Sequence, residues 1–275
     1  MSPPALLAAH QLAAHPGWRT FDCRHDLANP ALGEQQYRQG HLPGALFAHL
    51  DRDLSAPKNG RNGRHPLPQT GAFLAWMQRQ GLKPSDQVVC YDGGNGAMAS
   101  RLWWMLRWAG HDAVAVLDGG LAKWVKEGRP VTTEAPSFTA TVYPLRPRPA
   151  MAADVATVAA NLGKDLLVDA RAAVRFRGEQ EPIDPVAGHI PGAVNRFNGE
   201  NLNAQGTFKD AATLRQEFET LLGGRPPSAV VNYCGSGVAA CHNLLAMEIA
   251  GLPGAKLYAG SWSEWIADPL RPRSP

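Results

Sequence analysis

Residues 230–237 read VVNYCGSG, an apolar run that stops at Cys234 and a glycine-rich turn. Such a run bounded by glycine is typical of a buried strand, and residues 239–250, followed by glycine, predict a helix. Gly235 and Gly237 can adopt backbone angles closed to other residues, so that consecutive N–H groups curl around one anion. This pattern favours a nucleophilic thiol; the alternative is a small buried hydrophobe.

Ser236 lies two residues after the thiol. Its hydroxyl can donate to developing negative charge or relay a proton, although ordinary loop solvation is the alternative. The thiolate is the attacking species, and a free thiol titrates near ~8.5, so the loop must stabilise the anion. Several N–H donors are needed, because a helix terminus alone contributes only about 0.3 to 1 kcal/mol.

An internal repeat organises the whole chain. Three pairs of segments recur in the same order: DCR at 22–24 and DAR at 169–171, GHLPGA at 40–45 and GHIPGA at 188–193, VVCYDG at 88–93 and VVNYCG at 230–235. Strand and helix patterns alternate in both halves, which indicates a parallel sheet. The sequence therefore predicts an α/β fold of two duplicated domains, each a central, mainly parallel sheet flanked by helices.

Asp92 occupies the position in the first half that Cys234 occupies in the second. Functional loops lie at the C-terminal ends of parallel strands, and both residues fall there. The predicted organisation is an inactive N-terminal domain over 1–130, a proline-rich linker over 131–150 and a catalytic C-terminal domain over 151–275.

Composition excludes several classes of protein. Hydrophobic residues make up 44% and charged residues 19%, and the net charge of +3 is too small to indicate nucleic-acid binding. No stretch approaches the roughly 20 apolar residues of a membrane span, and residues 1–18 predict an opening helix rather than a leader. The four cysteines lack zinc-type spacing. We expect a cytoplasmic protein that needs neither a metal nor an organic cofactor and contacts no membrane.

The ordered motifs resemble those of tandem-domain rhodanese-type sulfurtransferases. They comprise the two HxPGA-like segments, YDGG at 91–94, RLWW at 101–104, LDGG at 117–120, RFRG at 175–178, CGSGV at 234–238 and GSWSEW at 260–265. Within that family the loop resembles those of 3-mercaptopyruvate sulfurtransferases, whereas rhodaneses that use thiosulfate more often carry a basic loop. Thiosulfate is a dianion, so cationic side chains in the loop stabilise it. 3-Mercaptopyruvate carries its carboxylate away from the sulfur, and arginines elsewhere can bind that carboxylate.

The resemblance implies double displacement through a Cys234 persulfide, with a small-molecule sulfur donor and with cyanide or a thiol such as thioredoxin as the acceptor. The implied catalytic residues are Cys234 and Ser236, and the implied site also includes Gly235, Gly237, Val238 and Ala239 in the loop, Arg175 and Arg177 for the substrate, and His41 as a proton relay. His189 occupies the position of His41 in the second half, so a structural role in both halves is the alternative. Ala239 replaces a threonine usual in the family, and residues 181–185, EPIDP, lack an arginine that many mercaptopyruvate enzymes carry.

Three alternatives remain open. The same persulfide chemistry could use thiosulfate, and the loop could instead be a non-catalytic module that binds an anion or a partner. The third alternative is a cysteine phosphatase. That chemistry needs an arginine six residues after the thiol to bind the phosphoryl oxygens, and Ala240 at this position argues against it.

Overall fold

The computed structural model describes residues 4–144 and 146–275, which form two compact units. Unit 1 comprises the described residues up to Ala56, Pro68–Arg148 and Ala204–Thr207. Unit 2 comprises Pro57–Leu67, Pro149–Asn203 and Phe208–Pro275. Each unit therefore contains chain from both sides of the predicted linker.

Unit 1 contains a five-stranded parallel sheet in the order β1-β5-β4-β2-β3. Its strands are β1 Leu6–Leu7, β2 Arg19–Asp22, β3 Ala45–Phe47, β4 Val88–Tyr91 and β5 Val114–Leu117. Its helices are α1 Ala9–Ala13, α2 Leu32–Gln39, α3 Thr70–Arg79, α4 Ala97–Trp108 and α5 Gly120–Lys126. The predicted opening helix is present over Ala9–Ala13, whereas Leu6–Leu7 before it form β1 and pair with β5.

Unit 2 repeats this topology in the order β6-β10-β9-β7-β8, again with parallel pairs. Its strands are β6 Ala152–Ala153, β7 Leu166–Asp169, β8 Val194–Asn195, β9 Val230–Tyr233 and β10 Lys256–Tyr258. Its helices are α6 Val155–Ala160, α7 Ala173–Phe176, α8 Ala211–Leu222, α9 Ala239–Ile249 and α10 Ser261–Trp265. The α/β prediction and the duplicated parallel sheets are confirmed.

The central strands are buried on both faces, as parallel sheets require. All residues of β4 and β9 are buried, and the helix that follows each strand is largely buried as well. The tryptophans of the repeated motifs pack into these cores: Trp103, Trp104, Trp124, Trp262 and Trp265 are each at most 5% exposed. Within the described residues, no helix combines the length and the apolar composition needed to cross a bilayer.

Candidate active site

Cys234 follows β9 directly, at the C-terminal end of a central strand of unit 2. Its backbone N–H donates to Ser261 Oγ at 3.1 Å, and its carbonyl accepts the Trp262 N–H at 3.0 Å. The Gly235 carbonyl accepts the Ser263 N–H, also at 3.0 Å. The start of α10 therefore holds the backbone of the cysteine loop in place.

The loop N–H groups converge on the thiol. Gly237 N lies 3.1 Å and Ser236 N lies 3.5 Å from Cys234 Sγ. Gly237 has φ +75°, and a Cβ there would overlap the carbonyl oxygen of Ala259, so only glycine fits this turn. Val238 then caps α9, which begins at Ala239. These two donors stabilise negative charge on sulfur, which is the chemistry that a nucleophilic thiol needs.

Ser236 makes the hydrogen bond that bears most directly on proton transfer. Its Oγ lies 2.8 Å from Nδ1 of His65, a residue 171 positions earlier in the chain but within unit 2. Both side chains are buried, with residue exposures of 5% and 3%. In the tautomer with Nδ1 unprotonated, the Ser236 hydroxyl donates to the imidazole, so the pair can pass a proton beside the sulfur.

His41 lies in unit 1, and each of its ring nitrogens contacts a backbone carbonyl, that of Tyr37 at 2.7 Å and that of Glu134 at 3.1 Å. His189 contacts the Phe176 carbonyl in the same way at 2.8 Å. The His41 imidazole also stacks on the Tyr37 ring, and the His189 imidazole stacks on the Phe176 ring, each with ring centroids 3.9 Å apart. The repeated histidines thus share one packing arrangement, and His65 is the histidine placed against Ser236.

The arginine predicted for the substrate, Arg175, lies beside the loop. Its guanidinium donates to both oxygens of Glu181 and, through Nη2, to Asp184 Oδ2 at 3.1 Å. Arg177 instead is half exposed at the surface and pairs with Glu179, which is equally exposed. The structure brings only the first of these arginines to the cysteine loop.

Arg64 is a second arginine at the loop, and no motif in the sequence marks it. It donates through Nη1 to Asp184 Oδ1, so Asp184 bridges the guanidinium groups of Arg64 and Arg175. Burial raises the pKa of the Asp184 carboxyl, against the opposing charge of Arg64. Burial would also raise the pKa of Glu181, but hydrogen bonds, first from Arg175, outweigh it and lower that pKa.

Asp92 fills the equivalent loop of unit 1. Its Oδ1 accepts the N–H groups of Gly94 and Gly96 at 2.9 and 3.0 Å, and its Oδ2 accepts those of Met98 and Ala99 at 3.0 and 3.3 Å. The carboxylate therefore accepts two N–H groups of its loop and two from the first turn of α4, and of these donors Gly94 matches Ser236 of unit 2 in position. This loop holds a fixed anion and presents no nucleophilic thiol.

Buried ion pairs tie the two repeated loop motifs together in each unit. Arg24 binds Asp22 at 2.6 Å and donates to the Gly40 carbonyl at 2.7 Å. Arg171 binds Asp169 at 2.7 Å and donates to the Gly188 carbonyl, also at 2.7 Å. Each arginine thus links the end of a strand to the HxPG segment.

One group in the described residues has the composition of a metal site. Ligand atoms of His25, His49 and Asp51, in unit 1, lie within 4.8 Å of one another. Nδ1 of His49 accepts the backbone N–H groups of Asp51 and Arg52, so its proton lies on Nε2 in the neutral ring.

Comparisons with known proteins agree with the duplicated fold. The rhodanese-like domain family matches residues 7–127 and 154–268. The chain therefore belongs to the rhodanese-like family, with two copies of its domain.

Three relatives extend over nearly the whole chain. It is 50% identical to a probable 3-mercaptopyruvate sulfurtransferase of Pseudomonas aeruginosa, over 99% of this chain and 98% of the relative. It is 40% identical to a putative thiosulfate sulfurtransferase of Mycobacterium tuberculosis, over 92% and 89%. The structure of a 3-mercaptopyruvate sulfurtransferase from Leishmania major superposes with a TM-score of 0.86 at 31% identity, covering 95% of this chain and 74% of that one. These relatives are all named sulfurtransferases, and their names divide between two donors.

Proposed function

We propose that the protein is a sulfurtransferase that carries sulfur on Cys234 from 3-mercaptopyruvate to a thiophilic acceptor. The observation that carries the proposal is the placement of Cys234 Sγ, which receives the Gly237 and Ser236 N–H groups beside a Ser236–His65 hydrogen bond. Such a site stabilises a thiolate and offers a proton path next to it. The names of the relatives support the same class of reaction.

In the first half-reaction the Cys234 thiol gives its proton to the Ser236–His65 pair, and the thiolate attacks the sulfur of the donor. A sulfur–sulfur bond forms while the carbon–sulfur bond breaks, and the electron pair of the broken bond stays on carbon as the enolate of pyruvate. The proton held by the Ser236–His65 pair then passes to that enolate. Pyruvate leaves, and Cys234 carries a persulfide.

In the second half-reaction a nucleophilic acceptor attacks the outer sulfur, and the Cys234 thiolate departs. Cyanide or a thiol such as thioredoxin meets this requirement. All four cysteines of the chain are unpaired, which fits a reducing cytoplasm where thiol acceptors are abundant. Arg175 binds the donor carboxylate, and unit 1 supplies no nucleophile because Asp92 stands where unit 2 has the thiol.

Thiosulfate is the second candidate donor, favoured by the name of the Mycobacterium tuberculosis relative. It would form the same persulfide with sulfite as the leaving group. The loop carries no basic side chain at Gly235, Ser236 or Gly237, which favours the donor whose carboxylate lies away from its sulfur.

Pyruvate release from 3-mercaptopyruvate in the presence of cyanide tests the proposal. Cys234→Ser is expected to abolish turnover, whereas Cys90→Ser, in a buried strand of unit 1, is expected to retain it. Normal pyruvate release by Cys234→Ser would refute the proposal. A higher kcat/KM for thiosulfate than for 3-mercaptopyruvate in the wild type would assign the donor to the alternative.

A further inference from the structure

The segment Pro57–Leu67 brings Arg64 to the residue that follows the nucleophile. The Arg64 backbone N–H donates to Ser263 Oγ at 3.0 Å, in the same α10 that holds the cysteine loop. A Cβ built on Gly235 would lie 2.7 Å from Arg64 Nη2. The Arg64 guanidinium therefore occupies the space that a side chain at position 235 would need. It can lie there because residue 235 is glycine.

The Asp184 carboxylate pairs with both Arg64 and Arg175 next to this glycine. One carboxylate oxygen accepts from each guanidinium. The same built Cβ on Gly235 would lie 3.6 Å from both Arg175 Nη2 and Asp184 Oδ2. The carboxylate side chain is 2% exposed, while those of Arg64 and Arg175 are 26% and 16% exposed. The carboxylate is therefore the most deeply buried of the three groups, and the two guanidinium groups beside Gly235 are partly exposed.

Each guanidinium keeps donors that are not used by protein acceptors. Over residues 4–144 and 146–275, no acceptor pairs with Arg64 Nη2 or with Arg175 Nη1. Arg64 Nε is also buried without a partner. A planar guanidinium with open N–H groups is the preferred ligand of a carboxylate, and the bridging aspartate fixes the orientation of both arginines.

The charge of this group decides which donors it favours. Arg64 and Arg175 contribute two positive charges, and Asp184 removes one. The Glu181 carboxylate pairs with both Arg175 and Arg171, and Arg171 also pairs with Asp169, so the connected group has three arginines and three carboxylates and is formally neutral. A donor with a single remote carboxylate needs only an oriented pair of N–H groups, whereas a dianion such as thiosulfate, charged beside the transferred sulfur, gains more from unneutralised cations.

We propose that Arg64 is the second residue that binds the donor carboxylate and that Asp184 sets donor selectivity by cancelling one of the two positive charges beside Gly235. The inference rests on the proposed sulfur transfer and adds the origin of its specificity. Arg64 supplies, from a distant segment, the cation that EPIDP at 181–185 lacks. Asp184 prevents this cation from turning the site into one for dianions.

Steady-state kinetics with 3-mercaptopyruvate and thiosulfate separate these roles. Asp184→Asn is expected to raise kcat/KM for thiosulfate relative to 3-mercaptopyruvate by on the order of tenfold, since it adds one net positive charge. Arg64→Gln is expected to raise KM for 3-mercaptopyruvate by roughly tenfold to a hundredfold with a smaller change in kcat, because a charge-assisted hydrogen bond is lost. Arg64→Lys should recover part of that loss.

Arg215→Ala is the matched control, because Arg215 is half exposed on α8 and pairs with Glu219 along its helix. kcat/KM for 3-mercaptopyruvate and kcat/KM for thiosulfate should both stay at their wild-type values in this variant. A purely structural role for Arg64 and Asp184 would move both donors together, and an unchanged donor ratio in Asp184→Asn or an unchanged KM in Arg64→Gln would overturn the inference. Arg64→Gln decides the matter independently should Asp184→Asn fail to fold. Absence of sulfur transfer in the wild type would instead overturn the proposed function.

Discussion

At the scale of single residues, the two units solve the same electrostatic problem with different anions. In unit 1 the Asp92 side chain accepts four backbone N–H groups, two from the loop and two from the first turn of α4. In unit 2 the Cys234 sulfur receives two, and Ser236 is free to bond to His65 instead. A carboxylate is a fixed charge at neutral pH, whereas a thiolate is a nucleophile, so one side chain separates a structural loop from a reactive one.

The Ser236–His65 pair predicts a defect in turnover rather than in binding. His65→Asn should lower kcat by roughly a hundredfold with a smaller change in KM, because the enolate loses its proton donor. Ser236→Ala should lower kcat by a similar factor. The double variant should have a kcat only slightly below those of the single variants, since the two residues act as one relay.

The control for this prediction is His189→Asn, which changes the repeat-related histidine that stacks on Phe176. Its effect should appear in the free energy of unfolding and leave kcat at its wild-type value. A kcat loss in His189→Asn equal to that of His65→Asn, or additive losses in the double variant, would contradict the relay. The kcat of each of the four variants, His65→Asn, Ser236→Ala, the double variant and His189→Asn, is obtained from initial rates of pyruvate release.

At the scale of elements, the loop between β9 and α9 is shaped by backbone geometry more than by side chains. Gly237 turns the chain at φ +75° and directs its N–H to Cys234 Sγ. α10 supports the loop from the other side through Ser261 and the N–H groups of Trp262 and Ser263. The cradle therefore depends on how closely the Gly237 backbone approaches Ala259.

Gly237→Ala is predicted to damage both stability and sulfur loading. A left-handed conformation costs alanine about 1 to 2 kcal/mol, and the added Cβ also overlaps the Ala259 carbonyl. Gly206→Ala provides the comparison, since Gly206 has φ +78° with nothing within 4 Å of an added Cβ. Urea unfolding should show the larger loss for Gly237→Ala, and an equal loss in both variants would show that the close approach is unimportant.

At the scale of the whole molecule, the two units share one fold and differ at the position of the nucleophile. Unit 1 retains the parallel sheet and the Asp22–Arg24 tie, and it has a carboxylate in place of the thiol. Its role on this account is structural, with the stability of its loop resting on Asp92. On this account the chain uses two copies of one fold, and the reaction takes place at Cys234 in the second.

Asp92→Ala should therefore lower stability without lowering turnover. Four N–H groups lose their acceptor, which is expected to reduce the free energy of unfolding by about 2 to 4 kcal/mol after partial hydration. Asp92→Asn should lose less, because its side-chain oxygen still accepts. Denaturant titration followed by pyruvate-release kinetics on the folded proteins gives both quantities. A kcat that falls with Asp92→Ala would assign unit 1 a part in the reaction.

Local pattern predicted much of this architecture. The run before Cys234, the repeated HxPG segments and the aligned Asp92 predicted parallel sheets in two copies, because strand burial and glycine turns are encoded in neighbouring residues. The same pattern placed Cys234, Ser236 and Gly237 together. The strand at Leu6–Leu7 escaped detection because two residues cannot display a period and its pairing with β5 is set by tertiary structure.

His65 and Arg64 could not be placed by local pattern. They reach Ser236 and Asp184 across 171 and 120 residues of sequence, and no repeat counterpart was available to mark them. One signal was present: residues 48–69 connect β3 to α3 without a helix or strand, and connections of that length are often functional. Histidine and arginine in such a loop are candidates for a site whose other residues lie far away in sequence.

Sulfur on Cys234 is the central claim, and mass spectrometry of the protein after brief treatment with 3-mercaptopyruvate tests it most directly. The account predicts that the peptide containing Cys234 and Cys241 gains the mass of one sulfur atom, and that fragmentation of this peptide assigns the sulfur to Cys234. Cyanide should remove this mass, and the peptides containing Cys23 and Cys90 should stay unchanged. An unmodified Cys234 in protein that releases pyruvate, or sulfur carried on another cysteine, would contradict it.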